Sequence, residues 1–356
     1  MSGTSLDGID VVLVDFSEQA PKILAKECTP YPSSLRNALK DLFLPGENEI
    51  DKLGELDNEL GLHYSAAVLS LLDKANILPA TIRAIGCHGQ TIRHRPNVKR
   101  PFTLQIGNGH VIAVSTGIDT ICDFRRRDMA LGGQGAPLAP KFHEALFANK
   151  SSNRVIVNIG GISNISYLPA SGAVTGFDSG PGNGLLDAWA ELHTDKSYDE
   201  QGEWAASGEV VPELLEGWLE TPFFSLAPPK STGKEQFSLQ WLTSTLEHDY
   251  PARDVQRTLT ELTAQCVMQS VQAFCADTQE IFVCGGGVHN DFLMKRLSDL
   301  SSSDVLSTQA IGVDPDWVEA VGFAWLAKQT IENRPSSIPK VTGAKHEAVL
   351  GTLYRA

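Results

Sequence analysis

Three glycine-rich turns and one aspartate hold most of the chemistry available to this sequence. The turns are residues 3–10 in "MSGTSLDGID", 158–164 in "NIGGISN" and 285–290 in "GGGVHN". Each adjoins an apolar run that reads as a strand. Backbone N–H groups in such turns can converge on phosphate oxygens, and glycine permits close approach because it lacks a Cβ. Any one of them is equally an ordinary hairpin or strand–helix turn. Three at strand ends point together to a nucleotide. Two familiar phosphate motifs are absent. "PPKSTGKEQ" contains Gly233-Lys234, but Pro228 and Glu235 stand where a P-loop needs Gly and Ser/Thr. "GPGNG" (180–184) lacks the GxGxxG spacing of a dinucleotide site.

The aspartate is Asp178 in "GFDSGPGN", read as lying at a strand end before a helix. A carboxylate held there suits a general base acting on water or a hydroxyl. Capping the next helix or ordering its own turn is the competing use. Asp7, Asp10 and Asp15 are candidate Mg²⁺ ligands, since Mg²⁺ favours carboxylates, waters and phosphate oxygens. Asp7, inside the first turn, is the best placed.

"CHGQTIRHRP" (87–96) offers Cys87, His88 and His94, but nothing completes a four-ligand zinc set. Packed or hydrogen-bonded histidines are expected, with "HGQT" available to line a polar cleft. "DFRRRDMALGGQGAPL" (123–138) combines arginines, aspartates and a glycine-rich stretch. Arginine forks bind carboxylates bidentately, so an anionic substrate group beside a mobile loop is one reading. A solvated turn of Arg–Asp pairs is the other.

The elements that must position these residues form a mixed α/β pattern. "VVLVDF" (11–16) reads as a buried strand. Residues 51–75 place Leu53, Leu56, Leu60, Tyr64, Val68 and Leu71 at helical spacing. "RVIVNIGGISNISYL" reads as a hairpin, residues 254–276 as a helix, and "IFVCGGGVHNDFLMKRL" as strand, turn and helix. "VEAVGFAWLAKQ" is a small-residue helix suited to close packing. A Gly/Ser turn beside strands occurs in each half, a weak sign of duplication.

At 356 residues two domains are expected. The apolar content of 42% and charged content of 20% are those of a folded globular chain. A net charge of −14 argues against nonspecific nucleic-acid or anionic-membrane binding. The six cysteines form no CxxC pair, so reduced, mostly buried thiols are expected. No apolar run has transmembrane length and no secretory leader pattern is present, which makes the cytoplasm the expected location.

The blocks "MSGTSLDGID", "GCHGQTIRHRP", "TLQIGNG", "DFRRRDMALGGQGAPLAP", "NIGGISNIS", "GFDSGPGN" and "CGGGVHN" resemble, in the same order, the motifs of the anhydro-N-acetylmuramic acid kinase family. The resemblance runs from residue 1 to "VLGTLYRA" at 349–356. It implies an actin/hexokinase/Hsp70-like ATPase fold of class α/β, with two domains around a central nucleotide and sugar cleft. The expected bounds are 1–130 and 131–334, with 335–356 a candidate to pack back onto the first domain. It implies hydrolytic opening of 1,6-anhydro-N-acetylmuramic acid with transfer of the ATP γ-phosphoryl to O6, in peptidoglycan recycling. ATP and Mg²⁺, and a homodimer, come with it. Another sugar kinase of the same fold, or a noncatalytic nucleotide-binding protein, is the alternative.

The roles carry over by position. Gly3, Thr4, Ser5, Leu6, Asp7, Gly8, Ile9 and Asp10 match the phosphate loop, with Asp7 also the metal candidate. Gly160 and Gly161 match the second phosphate hairpin, and Gly285, Gly286 and Gly287 the adenosine-side turn. Asp178 matches the catalytic aspartate. Arg126, Glu319 and His88 are candidates for sugar contacts. Family members carry residues ahead of the "MSGTS" block that form most of a first strand. The first few residues of this sequence are therefore expected to be less well held.

Overall fold

Leu56, Leu60, Tyr64, Ala67 and Leu71 form the buried stripe of the helix Glu49–Lys74 in the computed structural model of the chain. Intervals of three and four put these side chains on one face. Glu49 and Asp51 in its first turn and Lys74 in its last complement the helix dipole. The structure describes all residues of 1–356 except Thr4, Ser5, Gln19 and Lys234.

The strands are β1 (Gly8–Asp15), β2 (Lys22–Pro30), β3 (Ile85–Gly86), β4 (Gln90–Arg95), β5 (Phe102–Ile106), β6 (Thr120–Cys122), β7 (Arg154–Ile159), β8 (Ile162–Leu168), β9 (Thr175–Pro181), β10 (Glu280–Cys284), β11 (Asp304–Ser307) and β12 (Thr352–Tyr354). The chain divides into two compact units. Unit 1 comprises Met1–Phe142 and Glu319–Ala356, and unit 2 comprises His143–Val318. These divides differ from bounds at 130 and 334 for a physical reason. Residues 131–142 are tied to the later segment, with Gln134 N–H donating to Thr342 O at 2.8 Å and Lys345 N–H to Leu131 O at 3.0 Å. The helix Val318–Ile331 lies so close to β3 that a Cβ on Gly86 would collide with the Phe323 backbone.

In unit 1, β1 and β2 pair antiparallel from Gly8↔Pro30 to Asp15↔Lys22. Gly8 is required by that approach, since a Cβ would sit 2.6 Å from Thr29 O. β6 lies between parallel β3 and antiparallel β12. The core gathers Leu6, Ile9, Leu39, Leu60 and Ile112. On the edge of β1 away from β2, Met1 and Asp10 exchange two bonds. The Met1 ammonium donates to Asp10 O at 2.7 Å, and Asp10 N–H donates to Met1 O at 2.8 Å. Beyond that pair, Val11–Val14 are half-buried rather than buried. They line a cavity of about 620 Å³ whose walls also include Ile85–Cys87 and, from the helix Val318–Ile331, Ala324 and Ala327. Reading "VVLV" as a fully buried strand therefore fails at this one edge.

In unit 2 the sheet order is β11-β10-β7-β8-β9. β10 runs parallel to β7 and β11, while β8 is antiparallel to β7 and β9. β7 is central, and its Val155, Val157 and Ile159 join Val267, Met268 and Val271 of the helix Ala252–Phe274 in one core, so its apolar run is nearly continuous. A second core joins Leu185, Trp189, Trp218, Phe223 and Phe237. No helix among the described residues is long and apolar enough to cross a membrane.

Candidate active site

The described residues of the first turn make several contacts within unit 1. Ser2 is 1% exposed, and its hydroxyl lies 2.6 Å from the Tyr64 hydroxyl. Gln90 Nε2 donates to Gly3 O at 3.2 Å. Leu6 is fully buried with φ of 59° and closes a turn onto Gly3 O. A bulky residue in the left-handed region is strained and needs support from its surroundings; here the leucine side chain sits in the unit 1 core. Asp7 is exposed, 3.9 Å from Arg36, while Gly8, Ile9 and Asp10 enter β1. Thr4 and Ser5 lie outside the described residues.

Beside this turn, His88 Nε2 accepts from Arg125 at 3.1 and 2.9 Å, and His88 Nδ1 donates to Gly89 O at 2.8 Å. Arg125 also donates to Gly135 O at 2.8 Å. Burial, then the Arg125 charge, holds His88 well below the usual histidine range, so the ring is neutral. Burial brings Arg125 down to about 10, opposed by Glu319 and Asp128. Glu319 is open to solvent yet surrounded by protein, and that surrounding raises its carboxyl, against the pull of Arg125.

Arg125, rather than Arg126, therefore reaches His88. Arg126 is exposed and 3.7 Å from Asp123. Arg126 and His88 do share a wall of a second cavity, about 420 Å³, with Asp57, Gln105, Asn108 and Tyr354. The glycine-rich stretch 132–135 is not loose. Asp128, fully buried, accepts from Gly135 N–H at 2.8 Å and from Thr342 Oγ1 at 2.7 Å, and Gly133 N–H donates to Asp128 O.

In unit 2 the two remaining turns come together. Gly160 and Gly161 join β7 to β8, and their carbonyls accept from Asn183, Gly182 and Gly184 at the start of the helix Asn183–Thr194. Gly285 (φ 79°) follows β10, and a Cβ there would strike Asn158 Oδ1. A Cβ on Gly287 would strike the Ile159 side chain. Packing alone thus requires Gly285 and Gly287. Gly160 and Gly286 differ, because a Cβ would meet nothing closer than 3.8 and 3.4 Å. Their open faces leave room for a ligand against the backbone.

Asp178 lies within β9, not at its end, opposite Asn164 where the β8–β9 register shifts. A bulge re-aims side chains locally. Here the buried Ser163 and Ser179 hydroxyls, 2.7 Å apart, staple it. Asp178 Oδ2 accepts from Ser231 Oγ at 2.9 Å and from Thr232 N–H at 2.8 Å. Burial raises the carboxyl, while these donors and Lys230 pull it down. The side chain makes no cap on the following helix, so the capping alternative does not hold.

Sequence reasoning reached the 123–138 stretch without separating Arg125 and Asp128 within it, and it missed the segment 230–232. The segment is the "KST" of the rejected P-loop look-alike; nothing local signals that it folds back on Asp178.

Among the described residues no three His, Cys, Asp or Glu side chains form a metal-holding group. Mg²⁺ commonly keeps waters and phosphate oxygens and takes one or two carboxylates, so the exposed Asp7 fits that more modest demand.

A family model described as anhydro-N-acetylmuramic acid kinase matches residues 1–356. A relative of that name from Nitrosospira multiformis is 50% identical, covering 100% of this chain and 98% of the relative. One from Coxiella burnetii is 51% identical, over 99% of this chain and 96% of the relative. One from Saccharophagus degradans is 49% identical, over 99% and 97%. Among solved structures, the (R)-2-hydroxyglutaryl-CoA dehydratase component A of Acidaminococcus fermentans aligns with a TM-score of 0.42 at 12% identity, over 89% of this chain and 96% of that one. A likeness that loose carries no argument.

Proposed function

The chain belongs to the anhydro-N-acetylmuramic acid kinase family, whose fold is the actin/hexokinase/Hsp70-like ATPase fold, and we propose that it opens and phosphorylates 1,6-anhydro-N-acetylmuramic acid. The product is N-acetylmuramic acid 6-phosphate, and the step serves peptidoglycan recycling. Whole-length identity near 50% to relatives of that name is the observation that carries this reading.

Water attacks the anomeric carbon and gives its proton to Asp178. The bond from that carbon to O6 breaks, its electron pair passing to O6. O6 takes the γ-phosphoryl as its bond to ADP breaks. Such transfers depend on positioning and charge stabilisation more than on protein covalent chemistry. Backbone-donor turns and one base suit that demand.

The open faces of Gly160 and Gly286 support nucleotide binding in unit 2. The stretch at residues 3–10 is assigned to phosphate by its match to the family's phosphate loop. Asp7 would hold Mg²⁺ together with phosphate oxygens. Bound there, the ion would neutralise charge developing on the transferred group. His88, Arg125, Arg126 and Glu319 are assigned to the sugar, whose lactyl carboxylate gives the arginines a partner. A cytoplasmic homodimer completes the reading.

Incubation with Mg-ATP and the anhydro sugar, followed by mass spectrometry, tests it. The expected product carries one added water and one phosphate. ATP consumption only with a different sugar would replace the substrate. Full turnover in Asp178→Asn would remove Asp178 from its role.

A further inference from the structure

Three consecutive residues converge on Asp178 from one segment. Lys230 O accepts from Asp178 N–H at 3.0 Å, and Ser231 Oγ and Thr232 N–H both donate to Oδ2. The segment is braced behind. Thr232 Oγ1 donates to Gln236 at 2.7 Å, and Gln236 N–H returns to Gly233 O at 3.1 Å. Phe237 stacks on Phe224 with centroids 5.4 Å apart and meets Phe223 edge-on. Lys230, 7% exposed, donates to Phe224 O at 3.2 Å and lies over the Phe223 ring.

Both side-chain contacts fall on one carboxylate oxygen. Oδ1 receives no donor among the described residues. A carboxylate fixed through one oxygen presents the other in a defined direction. Donors to the charged form also weaken it as a base, whereas burial strengthens it.

We propose that Ser231 and Thr232 are positioning residues that lock Asp178 through Oδ2, so that Oδ1 is the atom that takes the proton from water. This rests on the reading of Asp178 as general base. Among the described residues, the ionisable groups bearing on Asp178 are Lys230 from the same segment and, behind it, the Cys266 thiol of the helix Ala252–Phe274. Burial keeps that thiol protonated, so Lys230 supplies the neighbouring charge. The "KSTG" stretch thus serves a carboxylate of its own chain rather than a phosphate.

The test is the pH dependence of kcat/KM for the full chain, for Ser231→Ala, for Ser231→Thr and for Asp178→Asn. The acid limb of this profile reports the base in the free enzyme. Loss of the Ser231 hydroxyl should move that limb to higher pH by about half to one unit and lower kcat roughly three- to tenfold. KM for ATP should stay unchanged. Ser231→Thr, which keeps a hydroxyl, should restore the wild-type limb. Ser231 is exposed, so its truncation leaves the core intact. An inactive Asp178→Asn with an unmoved limb in Ser231→Ala would overturn the lock while sparing the base. An active Asp178→Asn would overturn both.

Discussion

Arg125 grips His88 through two nitrogens, at 3.1 and 2.9 Å from the same Nε2, while Nδ1 of that ring donates to Gly89 O. The contact fixes the tautomer, because Nε2 must accept. It also makes a protonated His88 incompatible with its neighbour. Removing the acceptor leaves a mostly buried guanidinium one partner short.

His88→Ala should accordingly cost about 1.5–3 kcal/mol of stability, the usual range for a hydrogen bond to a charged group. Urea unfolding measures it. His88→Gln, which can still offer an acceptor, should cost less. Equal losses would mean that Arg125 is held sufficiently by Gly135 O.

Two glycines should separate folding from ligand binding. Gly287→Ala collides with Ile159 and should lower the melting temperature by several degrees, corresponding to about 1–3 kcal/mol of overpacking. Gly160→Ala meets open space and should melt almost as wild type, yet bind ATP more weakly. Calorimetry with ATP and thermal melts give both readings. Unchanged ATP affinity in Gly160→Ala would withdraw that turn from the nucleotide site.

Acid should destabilise the protein through buried histidines. Burial lowers His143 to about 3 and His94 to about 4, from an ordinary 6.5. Between those values and 6.5 the unfolded chain binds more protons than the folded one. Stability therefore rises with pH there and is lost as pH falls from 6.5 towards 3. His143, 1% exposed and 2.8 Å from Ser166 Oγ, shares this loss with His88, which burial and Arg125 also hold well below the usual range. In His143→Gln the slope of unfolding free energy between pH 6 and 4 should shrink by up to about one proton. An unaltered slope would assign the acid loss to other groups.

Much of this was legible in the residues. The helix Glu49–Lys74 announced itself by spacing, and the β7–β8 hairpin by two apolar runs around Gly160-Gly161. These are local patterns, set by residues near in sequence. The contacts around the site are not. Ser231 meets Asp178 across 53 positions, and Thr342 meets Asp128 across 214. No periodicity encodes such pairs. Arg125 and Arg126 look alike in "FRRRD", and only the backbone direction at residues 123–128 decides which one turns inward. The half-exposure of Val11–Val14 was hidden for the same reason, since it depends on what lies at the far edge of the sheet.

The division into units also orders events at the ribosome. Residues 143–318 make unit 2 from one uninterrupted stretch, so its sheet can close as soon as that stretch has emerged. Unit 1 begins first and finishes second. β12 must reach β6, and Thr342 must reach Asp128, after all of unit 2 has been synthesised. Until then the 128–135 stretch lacks its clasp, and a nascent chain carries β1 on an unfinished support. The unit that starts forming first is therefore the one completed last.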